Sequence, residues 1–306
     1  NSTRKKITSR ASCGFTRTVR SATLPKPGET VLGGDFRMGP GGKGANQAVA
    51  ARLLGGEVTF VCKLGRDMFG EGASKHYESC GLDTSKILWS DKPSGVALIT
   101  VDSKAENSIV VASGANADMT VSDIDSVADI IKSSGILLLQ LEIPMDAVVH
   151  AAEIAYNAGV QVVLNPAPAA ALPAELLKCV SILIPNETEA SAISGIDINN
   201  FETAAAAAER LKGMGVREVI ITMGSRGSVV CDGDCTFVPA VKVNAVDTTA
   251  AGDTFCGGVC VALSEGKDLL EAVKFATAAS SIAVQRPGAQ DSVPNRCEVD
   301  KLLNIN

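Results

Sequence analysis

Two apolar runs, Ile136-Leu-Leu-Leu139 and Val219-Ile-Ile221, constrain this chain most strongly. Neither alternates with polar residues, so each must be a strand covered on both faces. Both fall within a regular alternation of strand and helix patterns that begins at residue 121. Helix 121–131 precedes strand 135–141, and helix 146–157 precedes strand 160–164. A short helix 173–179 and strand 181–184 follow, then helices 187–194 and 203–214. Strands 218–222, 228–231 and 236–243 come next, and helices 251–264 and 269–284 close the pattern. Such alternation predicts an α/β fold, a doubly wound and mostly parallel central sheet with helices on both faces. Ligands in sheets of this kind bind beyond the C-terminal ends of the strands.

The first third of the chain reads less regularly. Residues 8–23 should hold a first strand, yet they contain no acidic residue, are rich in Thr, Ser and Arg, and alternate poorly. Leu24-Pro-Lys-Pro-Gly28 is a rigid turn, and 30–36 an extended lead into Gly39-Pro-Gly-Gly-Lys-Gly-Ala-Asn46. That glycine stretch contains G-x-G-x-x-G, but Pro40 lies inside it and no clear strand precedes it. It is no Walker loop either, because Gly44 follows Lys43. Its glycines would let the backbone approach a polar ligand, with Lys43 and Asn46 as donors, and a helix 45–54 follows. Strand 58–64, a loop 65–70 and a helix to about Cys80 come next. The β-rich runs 96–102 and 107–112 predict a hairpin, part of a small β lid formed with segments near 14–37 and 94–112.

Composition excludes several function classes. The 306 residues carry a net charge of −6 with no basic block, so neither nucleic acid nor an anionic lipid surface is expected as a partner. No apolar run is long enough to span a membrane, and Asn1-Ser-Thr-Arg-Lys-Lys does not read as a secretory signal. Nine cysteines without zinc spacing predict free thiols in a reducing cytoplasm, and two histidines, His76 and His150, make a Ser-His-Asp triad a poor reading.

Polar clusters gather at the strand ends: Glu142, Asn165-Pro-Ala-Pro168, Asn186-Glu-Thr-Glu189, Thr222-Met-Gly-Ser-Arg-Gly227, and Asp247 with Asp253. Each alone is a turn or a cap; five along one sheet edge predict a site. The loop Ala250-Ala251-Gly252-Asp253 has little side-chain bulk and opens a buried helix, so its N–H groups suit a bound anion. Asp253 is then either a general base beside a phosphate or an ordinary N-cap.

Together, Gly41-Gly-Lys-Gly-Ala-Asn46, Asn165-Pro-Ala-Pro168, Asn186-Glu-Thr-Glu189 and Asp247-Thr-Thr-Ala-Ala-Gly-Asp253 resemble the ribokinase-like carbohydrate kinase family. The likeness runs from about Leu24 to the C-terminus. It implies phosphoryl transfer from ATP to the 5-hydroxyl of ribose, with Asp253 as base and Ala250, Ala251 and Gly252 forming an anion hole. It further implies sugar contacts from Gly42, Lys43, Asn46, Glu142 and Asp253. Asn186, Thr222, Gly224, Ser225, Gly227, Gly252 and Thr277 would contact ATP. Asn186 and Glu189 would organise Mg2+ and phosphate, and Asp247, Thr249, Ala283, Arg286, Gly288 and Ser292 would form a K+ site. A homodimer through the β lid and a cytoplasmic location complete what the resemblance implies.

One segment departs from the family pattern, a Gly-Ser-x-Asn-x-Asp run whose Asp binds sugar hydroxyls. Counting back from Leu24 without a gap puts Ala11, Gly14 and Thr16 at its Gly, Asn and Asp. Length is kept while pattern is lost, which points to an out-of-frame stretch; the mass of the N-terminal peptide tests that. A missing carboxylate there would weaken sugar binding by about 10–150-fold. The readings to separate are a ribose kinase, a kinase for deoxyribose, a ketose or a nucleoside, and a non-catalytic sugar sensor.

Overall fold

A computed structural model describes residues 5–10, 12–104 and 106–304; Ala11, at the expected glycine, and Ala105, in the segment expected to belong to a lid, lie outside the described residues. Strands β1 (Ile7–Arg10) and β2 (Gly14–Arg20) open the fold, followed by β3 (Phe36–Gly41), α1 (Lys43–Leu53), β4 (Val58–Val61) and β5 (Lys63–Gly65). Next come α2 (Met68–Ser79), β6 (Leu88–Ser90), β7 (Val96–Val101), β8 (Asn107–Ala112), α3 (Val121–Asp125), α4 (Ala128–Lys132) and β9 (Ile136–Leu139). The doubly wound part continues through α5 (Met145–Asn157), β10 (Gln161–Leu164), α6 (Ala174–Cys179), β11 (Ile182–Leu183), α7 (Glu187–Ser194) and α8 (Phe201–Gly213). It ends with β12 (Glu218–Thr222), β13 (Gly227–Cys231), β14 (Cys235–Pro239), α9 (Ala251–Ser264), α10 (Leu269–Ala283) and α11 (Arg296–Leu302).

The main sheet has the order β14-β13-β12-β11-β10-β9-β1-β4, parallel except for β13 and β14. The apolar runs behave as expected. Ile136, Leu138 and Ile220 face one core with α1, α9 and α10, while Leu137, Leu139, Val219 and Ile221 face the other with α5 to α8. Among the described residues, no helix is long and apolar enough to cross a membrane.

The poorly patterned segment does form strands. β1 sits between β4 and β9 in the main sheet, with Ile7 opposite both Val58 and Ile136. Neighbouring strands supply the backbone partners and the apolar cover that its own side chains do not advertise. β2 joins a separate sheet of order β3-β2-β7-β8, in which β7 and β8 are the expected hairpin. The glycine stretch differs from expectation: Gly39 and Gly41 belong to β3, paired with Thr16 and Gly14.

Other differences have local causes. The ladder of β14 stops at Pro239, which has no N–H to donate, rather than running on to Val243. The expected helix 121–131 is two short ones, α3 and α4. The strand expected over 58–64 divides into β4 and β5, and β5 turns away to pair with β6. Helix α11 was not anticipated, although Asn295 and Glu298 form a capping box at its start, a signal present in the sequence. The expectation of free thiols fails at one place: Cys231 and Cys235, cross-strand partners on β13 and β14, are joined in a disulfide. Cys13, Cys62, Cys80, Cys179, Cys256, Cys260 and Cys297 are free.

Candidate active site

The site forms where α1 and α9 touch at the C-terminal edge of the main sheet. Gly257 permits the contact: a Cβ there would stand 2.8 Å from the Ala51 nitrogen and 2.9 Å from the Gln47 carbonyl oxygen. Two helices this close bring the first turns of both against one another. Asn46 and Gln47 on α1 thereby meet Asp253 on α9.

Asp253 does not cap its helix. Ala250 holds the cap position in left-handed backbone, φ 61°, ψ 11°, and Asp253 lies within the first turn. A non-glycine residue held in this region stores strain of about 1–2 kcal/mol, which commonly accompanies a functional loop. The Asp253 carboxylate is buried and accepts from two amides, Asn46 Nδ2 at 2.9 Å and Gln47 Nε2 at 3.0 Å. Burial raises its pKa; the Lys43 charge and the two amide donors oppose that rise, and Glu142 adds to it.

A further layer of amides fixes the first. Gln47 Nε2 also donates to Asn165 Oδ1 at 3.0 Å, Gln290 Nε2 donates to Asn46 Oδ1 at 3.0 Å, and Gln140 Nε2 donates to Gln47 Oε1. Asn165 in turn donates to the Ile184 carbonyl at 2.8 Å, at the end of the neighbouring strand. Sequence reasoning missed Gln47, Gln140 and Gln290. Gln140 was hidden by running the preceding strand to residue 141; it stops at Leu139, and the first polar residue beyond turns into the site.

The helix N-terminus beside Asp253 offers donors. Ala251 N donates to the Thr248 carbonyl at 3.2 Å and Thr254 N to the Ala250 carbonyl at 2.8 Å. The N–H groups of Ala250, Gly252 and Asp253 have no acceptor among the described residues. They border a cleft lined by Lys43, Asn165, Asn186, Glu189, Thr222, Thr248 and Asp253, among others.

Around that cleft the remaining expected residues divide into groups. Glu142 accepts from the Lys43 backbone N–H at 2.9 Å and from Ser12 Oγ, and Ser12 Oγ accepts from Gly44 N at 3.3 Å. Glu142 and Ser12 thus satisfy the start of α1, whose cap position, Gly42, adopts φ 93°, and a Cβ there would stand 3.0 Å from the Cys13 Cα. Asn186 and Glu189 form a reciprocal capping box on α7. Glu189 is buried, and burial raises its pKa against the Asn186 N–H and the Lys43 charge, with Asp253 adding to the rise.

Thr222 forms a backbone bridge with Asn186, while Gly224 and Ser225 are exposed on the short turn that leads to Gly227. Thr277 is half-buried on α10, its hydroxyl on the Val273 carbonyl at 2.8 Å. Thr222 lines the cleft; Gly224, Ser225, Gly227 and Thr277 do not. Asp247 accepts from Thr249 N at 2.9 Å, Thr249 Oγ1 at 2.6 Å and Gly288 N at 2.9 Å. Its carboxylate is held low by these bonds and by Arg20, against partial burial. Ala283 and Arg286 lie just before Gly288, where Arg286 pairs with Glu298; the Ser292 hydroxyl donates to the Ala289 carbonyl at 2.7 Å. Thr16, at the position of the expected Asp, directs its hydroxyl to the Gly39 carbonyl at 3.2 Å.

Known proteins are similar to this chain in sequence and fold. The family model for pfkB family carbohydrate kinases matches residues 11–296. A ribokinase of Haemophilus influenzae is 41% identical over 98% of this chain and 99% of its own length. A deoxyribokinase of Salmonella typhi is 36% identical over 92% of this chain and 94% of its own. The structure of Arabidopsis thaliana ribokinase complexed with ribose and ATP superposes with a TM-score of 0.90 at 33% identity, covering 99% of both chains.

Proposed function

The chain belongs to the pfkB family of carbohydrate kinases, and from that premise we propose that it transfers the terminal phosphoryl group of ATP to the 5-hydroxyl of D-ribose. One observation carries the assignment of roles: a buried carboxylate, held by two amides, beside N–H groups without acceptors at a helix start. Asp253 takes the hydroxyl proton as the sugar oxygen bonds to phosphorus and ADP leaves. The free N–H groups of Ala250, Gly252 and Asp253 stabilise charge on the transferring phosphoryl group; that of Ala251, expected among them, is taken up by the Thr248 carbonyl. Asn46 and Gln47 keep the base in place and oppose its protonation. Lys43 lines the sugar side of the cleft, and Gly42, Asn46 and Glu142 would contact the sugar beside it. Asn186, Thr222 and Gly252 form the nucleotide side, and ATP would reach beyond the cleft to Gly224, Ser225, Gly227 and Thr277.

The donor set suits a divalent cation, because Glu189 brings a buried carboxylate to the cleft and needs a positive partner beside Asp253. Mg2+ held there with Asn186 would neutralise phosphate charge when bound. Asp247, with backbone oxygens of Thr249, Ala283, Arg286 and Gly288 and with Ser292, would hold K+ beside the anion loop. The four-stranded sheet acts as a lid on the sugar. Its exposed side chains include Leu98, Ile109, Val110 and Val111, which suits pairing with a second copy as a homodimer. A cytoplasmic location agrees with the use of ATP as cosubstrate. On this reading the chain is one kinase domain whose lid is formed near 14–37 and 94–112.

Deoxyribose is the second reading. It is favoured by Thr16, which supplies no carboxylate to a sugar hydroxyl and donates its own to Gly39. ATP turnover measured over a panel of pentoses, with and without K+, tests both. Ribose should give the highest kcat/KM, and K+ should raise it. A higher value for deoxyribose would establish the second reading, and no turnover with any sugar would overturn the kinase assignment.

A further inference from the structure

The β13–β14 hairpin carries a cluster that phosphoryl transfer does not use. Cys231 and Cys235 lie directly opposite one another, with Cα atoms 4.2 Å apart. Glu209, on the last turn but one of α8, faces them: its Oε1 is 3.7 Å from Cys235 Sγ. One carboxylate oxygen and the two sulfur atoms all lie within 4.8 Å of one another, the only such gathering of metal-ligating groups among the described residues. Cys231 is buried, Cys235 half-buried and Glu209 exposed, so the cluster has a floor and an opening to solvent. Lys212 ties the two elements together, its Nζ 3.2 Å from both Glu209 Oε1 and the Gly233 carbonyl at the hairpin tip.

Two sulfurs and one carboxylate oxygen on rigid elements are the donors that zinc-like cations select, and three protein ligands leave a fourth position for water. We propose that the reduced hairpin, with Glu209, is a binding site for one soft divalent cation of the zinc and cadmium class. Metal–sulfur bonds of about 2.3 Å set the two sulfurs of a tetrahedral site about 3.8 Å apart, so the disulfide and the metal exclude one another. The change of state balances simply. A thiol reductant gives two electrons and two protons to the disulfide, producing two thiols and its own disulfide; the cation then displaces the two thiol protons. Lys212 works against the cation, because its ammonium already occupies the carboxylate.

Cadmium titration of the full chain tests this. The protein is reduced with a phosphine, freed of it, and followed by thiolate-to-cadmium charge-transfer absorbance. One Cd2+ per chain is expected, with no band while the disulfide is intact. Cys235→Ser should remove the band and weaken binding more than about 100-fold, and Glu209→Gln should weaken it about 10–100-fold. Lys212→Gln should tighten it, and Cys297→Ser, at an exposed thiol elsewhere, should leave it unchanged. Absence of saturable binding to the reduced chain would overturn the proposal, as would an undiminished band in Cys235→Ser. Unchanged affinity in Glu209→Gln would remove the carboxylate from the site.

Discussion

The two large sheets bury their side chains in opposite ways. In the eight-stranded sheet, every residue of β9 is fully buried, with helices against both faces. In the four-stranded sheet, every residue of β8 is exposed, four of the six being apolar. The difference separates precision from adaptability. The proposed base, Asp253 on α9, stands at the edge of the dry, doubly covered sheet, where a catalytic group can be held rigidly. The proposed cover, which we assign to closing on the sugar and to pairing with a second copy, is built on the half-covered one. Substitutions in the two regions should therefore fail in different ways.

Asp253→Asn should show the largest effect. Removing a general base lowers kcat by about 10²–10⁴-fold, while sugar binding persists because the amide keeps the shape. Stability should move the other way. Burial raises the pKa of Asp253, so the fold binds a proton more tightly than the unfolded chain does. Its contribution to stability therefore falls as pH rises from the ordinary carboxylate value to the raised one, and stays low above that. The Asn variant lacks this cost and should melt at a higher temperature near neutral pH. A variant that keeps its rate removes Asp253 as the base; one that melts lower shows that the charge is fully compensated by its partners.

Next in size are paired truncations. Leu138→Ala, fully buried in β9, should cost about 2–5 kcal/mol, and Ile109→Ala, 53% exposed in β8, less than about 0.5 kcal/mol. Urea unfolding at low protein concentration reads both. Repeating it at high concentration sharpens the contrast. If the four-stranded sheet pairs with a second copy, the cost of Ile109→Ala grows with concentration, whereas that of Leu138→Ala keeps its size.

Legibility followed the same division. Strands β9 and β12 were plain because burial on both faces leaves an unbroken apolar run, and helices α7 and α9 begin and end where their residues indicated. The polar loops at strand ends were visible as composition, and the fold does gather Lys43, Asn186, Glu189, Thr222 and Asp253 around one cleft. Less could be read where a residue's partner is distant in sequence. Gln47 and Gln290 carry no local mark of function, and each acquires its role from a contact more than 200 residues away, Gln47 with Asp253 and Gln290 with Asn46. β1 was obscure for a related reason: its pairing is imposed by β4 and β9 rather than by its own Thr and Ser.

Gln47→Leu tests whether the amide layer matters to the reaction. It removes one donor from Asp253 and another from Asn165 while keeping bulk. Loss of a hydrogen bond to a charged group costs about 1.5–3 kcal/mol, so kcat should fall by about 10–150-fold with a smaller change in KM. Because that donor helps to hold the Asp253 pKa down, the acid limb of the kcat/KM profile should shift to higher pH. A fall in rate without the shift would mean that Gln47 supports packing only.

A more local effect lies where the root of the four-stranded sheet is tied down. Asp67 caps α2 through the N–H groups of Phe69 and Gly70, at 3.1 and 2.8 Å. The same carboxylate accepts from Ser94 N at 2.7 Å and Ser94 Oγ at 2.8 Å, two residues before β7 begins. Partial burial would raise its pKa, but these four bonds prevail and lower it. The stabilisation is therefore complete above the ordinary carboxylate value, about 3.9, and is lost as pH falls through the lowered one. Asp67→Ala should cost about 1–2 kcal/mol at neutral pH, and the gap from the parent should close on acidification. Amide exchange adds the regional reading. If Asp67 anchors the half-covered sheet, exchange should quicken in β7 and α2 and stay unchanged in β9; an equal rise in β9 would show that the two sheets open together.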